Sequence, residues 1–176
     1  MKFKNISLAV LLAAGCAMSV ANAAETGTLN FTGNVITGTC GIDAASLNIP
    51  VDFGVVAAST VNANPAGKST PAVEKDFTIK LNSCPEDLSA QVQFNGQTSS
   101  YQGLVFVSSN MTSNSGMIIK DQAGVVLTPN AMDTSESQAL ISGTNELKYT
   151  VGLTKTKNNV NPGPFNNAIT YVISYQ

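Results

Sequence analysis

Few side chains in this chain can do chemistry, and their types and spacing rule out most of it. Histidine is absent, so no Ser-His or Cys-His pair can activate a nucleophile. Three cysteines without histidine are a poor ligand set for zinc. The acidic pairs Glu86-Asp87 and Asp133 with Glu136 lie in polar, turn-like stretches, where solvated surface charge is the ordinary state. Thr154-Lys155-Thr156-Lys157 offers hydroxyls beside amines, but it closes an alternating segment with nothing to suggest a burying pocket. No glycine-rich phosphate loop opens a helix, and no Asp-rich calcium loop is present. Neither a catalytic residue nor a metal ligand is assigned, no cofactor is expected, and the chain does not read as an enzyme.

Cysteine and charge place the chain in a compartment. Lys2 and Lys4 precede an apolar run over residues 6–20, and Ala21-Asn22-Ala23 supplies small residues for cleavage, so residues 1–23 read as an export signal. Ala13-Ala14-Gly15-Cys16 is the competing signal, a lipobox in which Cys16 would be acylated. Cleavage after Ala23 leaves 153 residues, enough for one domain with a real core. That mature part carries seven lysines, no arginine and eleven acids, a net charge of −4. It has no basic footprint for nucleic acid or for an anionic membrane. Its two cysteines, Cys40 and Cys84, pair most naturally as a disulfide in an oxidising compartment, the alternative being two core thiols.

The elements that must position these groups alternate with period 2 and are punctuated by Gly, Asn, Ser and Pro. Strands are predicted over 28–39, 75–82, 91–95, 104–108, 117–120, 125–128, 146–153 and 168–175. Asp121-Gln122-Ala123-Gly124 reads as a hairpin connection. Helix is limited to single turns near 57–60 or 131–135, and residues 62–67 and 158–164 are loops. Short strands at this spacing predict an all-β sandwich.

Two segments stand apart. Near the C-terminus Ile169, Tyr171, Ile173 and Tyr175 share one face of a strand too apolar for an exposed edge. Near the mature N-terminus Leu29, Phe31, Gly33 and Val35 share a face of a second regular segment. A sandwich missing one strand would expose a groove floored by core side chains, and a strand from another chain would fill it with main-chain hydrogen bonds and alternate side chains. Leu29, Phe31 and Val35 suit that role, with Gly33 at a shallow position or, alternatively, at a β-bulge.

These residues resemble the pilin subunits of chaperone–usher fimbriae, in particular the type 1 major pilin group. The resemblance runs through the export signal, Gly27-Thr28-Leu29-Asn30-Phe31-Thr32-Gly33-Asn34-Val35, Cys40 with Cys84, Ile119-Lys120-Asp121 with Gly124 and Leu127, and a penultimate Tyr175 with Gly163 fourteenth from the end. It implies an incomplete immunoglobulin-like β-sandwich lacking its last strand and completed by a donated one. It further implies a donor extension at 24–35, a pilin domain at 36–176, and a chaperone or acceptor groove at Gly163, Ile169, Tyr171, Ile173 and Tyr175. The implied partners are a periplasmic pilus chaperone, an outer-membrane usher and other pilin subunits in a head-to-tail polymer. The product is a fimbria on the bacterial surface that contributes to adhesion. A free-standing exported binding module, for carbohydrate or a host ligand, is the alternative reading of the same residues.

Overall fold

A computed structural model describes residues 38–108, 111, 114–132 and 137–176. The segments 1–23 and 24–35, with Leu29, Phe31, Gly33, Val35 and Cys16, lie outside the described residues, as do Asp133 and Glu136. Among the described residues, seven strands form two antiparallel sheets. They are β1 (Gly41–Ile42), β2 (Glu74–Cys84), β3 (Ser89–Asn95), β4 (Ser115–Lys120), β5 (Gln138–Ala139), β6 (Gly143–Lys155) and β7 (Thr170–Tyr175). One sheet has the order β1-β2-β6-β4 and the other β5-β3-β7.

Period-2 alternation sets the register. In β2, Ile79 and Leu81 turn inward, and in β6, Leu147, Tyr149, Val151 and Leu153 do. Pairing Ile79 with Leu147 and Phe77 with Tyr149 puts both inward sets on one face. Val92 and Phe94 of β3 meet them from the other sheet. The sheets are joined by an aromatic cluster in which Phe94 packs edge-on against Tyr149 at 5.0 Å and against Phe77 at 5.9 Å. Such pairs add ~0.5–1.5 kcal/mol each beyond burial.

Five of the predicted strands are present, several with longer bounds. Residues 104–108 and 125–128 contribute only single bridges, Phe106 to Thr98 and Met117, and Val126 to Lys120. Of 28–39 only residues 38–39 are described, and they are outside any strand. The two-residue strands β1 and β5 carry no alternation long enough to read. Helix α1 (Ala58–Asn62) occupies the predicted turn, while the described part of 131–135 is not helical. The Asp121 hairpin closes with Gly124 at φ 81°. Gly116 is a packing requirement, since a Cβ there would lie 2.9 Å from the Phe106 carbonyl oxygen.

The hydroxyls and amine near the end of β6 are structural. Nothing in the sequence suggests a burying pocket here, yet Thr154 and Thr156 are buried. Thr154 Oγ1 donates to the Lys68 carbonyl at 2.7 Å, and Lys155 Nζ donates to the Asn62 carbonyl at 2.9 Å. The loop over 63–70 folds back on the outer side of β6, and that cover is what sequence periodicity could not reveal.

Cys40 and Cys84 are joined in a disulfide across a separation of 44 residues, tying the start of β1 to the end of β2. Closing a loop of that length stabilises the fold by ~4 kcal/mol in the chain-entropy model. Replacing both cysteines by alanine should therefore move the urea midpoint down by roughly that energy, read by tryptophan-independent far-UV circular dichroism.

Glu74 and Lys120 form an ion pair with little exposure on the sheet beneath Ser69, whose hydroxyl donates to the same carboxylate. Burial pushes the Glu74 carboxyl up, but the hydrogen bonds from Lys120 and Ser69 and the lysine charge outweigh burial and nearby Asp76, leaving it below the ordinary value of 4.5. A lowered folded pKa gives stability that is present above the unfolded value and lost as pH falls through the folded one. Glu74→Gln should thus destabilise the protein at pH 7, and its deficit against the parent chain should shrink as the pH is taken below 4.5. Denaturation midpoints across that range check both signs.

Candidate functional site

Among the described residues, β7 is bonded on one side only. Ser89 N–H donates to the Gln176 carbonyl and Gln176 N–H to the Ser89 carbonyl, both at 3.0 Å. Ser89 and Gln176 are therefore a hydrogen-bonded pair, and in an antiparallel ladder such pairs alternate. Given the register Gln91 with Ser174 and Gln93 with Val172, the N–H and C=O groups of Tyr171, Ile173 and Tyr175 point away from β3. No other strand among the described residues pairs with β7.

The same residues supply the side chains. Ile169, Tyr171, Ile173 and Tyr175 are half-buried and pack on the core, while Ala168, Thr170 and Val172 face outward. The structure thus brings together all four predicted β7 residues, with the strand itself beginning at Thr170. Gly163 is exposed and lies apart from them, on the rim of a cleft described below.

The facing wall was missed in the sequence. After β1, Asp43 N–H still donates to the Lys80 carbonyl, and Lys80 N–H then donates to Ser46 Oγ at 2.8 Å, so a side-chain hydroxyl ends the β1–β2 ladder. A 3-10 turn at Ala44–Ser46, capped by the Asp43 carboxylate on Ala45 N–H, carries the chain off that sheet. Residues 48–57 then run on outside any strand, with Ile49, Val51 and Val56 half-buried and Phe53 buried. The apolar alternation of Ile49, Val51 and Phe53 is visible in the sequence, but Pro50 sits inside it and argues against a central strand.

Two contacts span the space between the walls. Tyr171 Oη donates to the Ser46 carbonyl at 2.7 Å, and the rings of Phe53 and Phe165 meet edge-on at 5.8 Å. At the Phe165 end the space opens into a cleft of about 650 Å³ lined by Val51, Phe53, Val56, Val61, Leu153 and Val160, among others. Its walls are nearly uncharged, since residues 160–176 contain no ionisable side chain except the two tyrosines and residues 46–58 only Asp52. Burial pushes both phenols up from their ordinary pKa, and for Tyr175 the nearby Tyr171 adds to the effect, so both remain neutral hydrogen-bonding groups. An apolar, nearly uncharged groove beside a row of main-chain groups that have no partner strand among the described residues is suited to an extended polypeptide. Among the described residues no cluster of three or more His, Cys, Asp or Glu side chains is placed to hold a metal ion.

Comparison with known proteins agrees with this geometry. The fold is similar to that of the P pilus rod subunit PapA, with a TM-score of 0.66 at 20% identity over 79% of this chain and 100% of that one. It is equally similar, at 0.66 and 20% identity, to a subunit of a chaperone–usher pilus over 86% of this chain and 96% of the other. In sequence the chain is 30% identical to the type-1 fimbrial protein A chain of Escherichia coli over the full length of both. The profile of the family described as Fimbrial protein matches residues 29–176. With its two sheets, its Cys40–Cys84 disulfide and a β7 that has no second partner strand among the described residues, the chain belongs to the fimbrial protein family.

Proposed function

We propose that this protein is a structural, non-enzymatic subunit of a surface fimbria, and that the groove beside β7 is filled by residues 24–35 of a neighbouring copy. The open edge of β7, with its main-chain groups and its apolar side chains belonging to the same residues, carries the reading. An inserted strand would pair with Tyr171, Ile173 and Tyr175 and drop Leu29, Phe31 and Val35 toward the core. Each of those side chains contributes ~1.5–3 kcal/mol on burial, and the ladder hydrogen bonds add to that. A donor at one end and an acceptor at the other make a heterologous contact, which propagates as a filament where a two-fold contact would close.

Until a neighbour arrives, the same edge is an aggregation hazard. A periplasmic chaperone lending a strand would protect it, and an outer-membrane usher would supervise the exchange, as the kinship with chaperone–usher pilus subunits supports. Export follows from the signal at 1–23, and the polymer forms on the bacterial surface. Gly163 serves this scheme as part of the cleft rim and not of the ladder.

The test is deletion of residues 24–35 from the exported chain, co-expressed with its chaperone. The truncated subunit should accumulate bound to the chaperone and form no filaments by electron microscopy, and a synthetic peptide of residues 24–35 should displace the chaperone from it. Filaments from the truncated chain would refute the donor assignment. A monomer that is soluble without any chaperone would favour a free-standing binding module.

A further inference from the structure

Two polar side-chain atoms, one in β7 and one just before it, lack a partner. Tyr175 Oη and Asn167 Nδ2 are inaccessible to water and make no hydrogen bond among the described residues. Both side chains belong to the alternating set that includes Ile169, Tyr171 and Ile173. Tyr171, between them, is satisfied by the Ser46 carbonyl. A buried, unpaired donor is costly, and native proteins rarely retain one without use. These two bracket the free edge: Tyr175 ends β7, and Asn167 precedes its first residue, Thr170.

We infer that Asn167 and Tyr175 are positioning residues that hold the two ends of the inserted strand by hydrogen-bonding its carbonyl oxygens at either end of the ladder, an inference that rests on the groove reading above. The amide nitrogen can only donate, and the neutral phenol donates equally well, so both suit carbonyl oxygens. An extended strand displays such oxygens all along its length, and where pairing with β7 ends they have no ladder partner. At ~3.3 Å per residue, the eight steps from Asn167 to Tyr175 span at most ~27 Å, comparable with the reach of residues 28–35.

The experiment uses the full chain refolded from denaturant at low concentration with excess fluorescent peptide copying residues 24–35, and measures peptide release and the denaturation midpoint with and without peptide. Tyr175→Phe and Asn167→Ala should each speed peptide release roughly tenfold. The peptide-free midpoint of Tyr175→Phe should be unchanged or higher, because an unpaired hydroxyl is removed. A parent chain that takes up peptide, with both variants retaining it as well as the parent does, overturns the inference and leaves the groove reading intact. A parent chain that takes up no peptide overturns both.

Discussion

Phe31→Arg yields a subunit that folds, forms its Cys40–Cys84 disulfide and binds its chaperone, yet does not polymerise. On the proposed assignment the substitution lies in the donor segment and outside the pilin domain at 36–176, so the recipient groove is untouched. What changes is the strand that must enter it. Removing the phenyl ring forfeits up to ~3 kcal/mol of burial. The guanidinium cannot shed its proton and would enter a groove whose bordering segments, residues 46–58 and 160–176, carry no acidic side chain except Asp52. Together these exceed ~4 kcal/mol, on the order of a thousandfold in the affinity of one subunit for the next. Pelleting of fibres and electron microscopy measure the loss, and binding of the Arg-bearing peptide to the wild-type chain measures its energy. Asn30→Arg is the control, because the alternate face of the strand points outward and a charge there should be tolerated. Gly33→Asn should also block assembly if the main chain approaches the floor closely at that position. Equal fibre yield from Phe31→Arg would remove the donor role from this segment.

The sequence made the long strands legible because their alternation has a single physical cause. A strand buried on one face repeats every second residue, so Phe77-Ile79-Leu81 and Leu147-Tyr149-Val151-Leu153 announced both the strands and their inward sides. The β7 wall was legible for the same reason, and the disulfide followed from two cysteines in an exported chain. The opposite wall was not. Ile49, Val51 and Phe53 alternate just as well, but Pro50 interrupts the run and the segment pairs with no strand among the described residues. Its apolar face is explained by the groove it borders, a tertiary fact without a local signature. The polar end-points were hidden for a related cause. An unpaired Tyr175 hydroxyl looks in sequence like any penultimate tyrosine, and only the absence of a partner in three dimensions distinguishes it.

Appending a second copy of residues 24–35 after Gln176, through a flexible linker of about four residues, should convert the subunit into a stable monomer that needs no chaperone and no longer accepts a neighbour's strand. The linker is the length of an ordinary hairpin connection. It turns the inserted strand back along β7, whose ladder extends to Gln176. Tethering replaces a bimolecular encounter by a local concentration in the millimolar range, so the groove is filled at any protein concentration. Burial of Leu29, Phe31 and Val35 from the appended copy should raise unfolding free energy by at least ~5 kcal/mol, the largest stability change expected of any alteration considered. Urea denaturation reads the gain, and size exclusion reads the loss of polymer. The decisive arm is an appended strand in which each apolar residue is exchanged with its polar neighbour. Composition and linker are then identical, but the side chains turned toward the core become Asn, Thr and Asn. A one-residue change of parity sends the whole apolar set to the solvent face, so this version should gain almost nothing and should still leave the edge of β7 open. If both versions stabilise equally, the gain comes from covering the edge alone and the alternate side chains have no part in recognition; if neither does, the groove is not an acceptor for this strand.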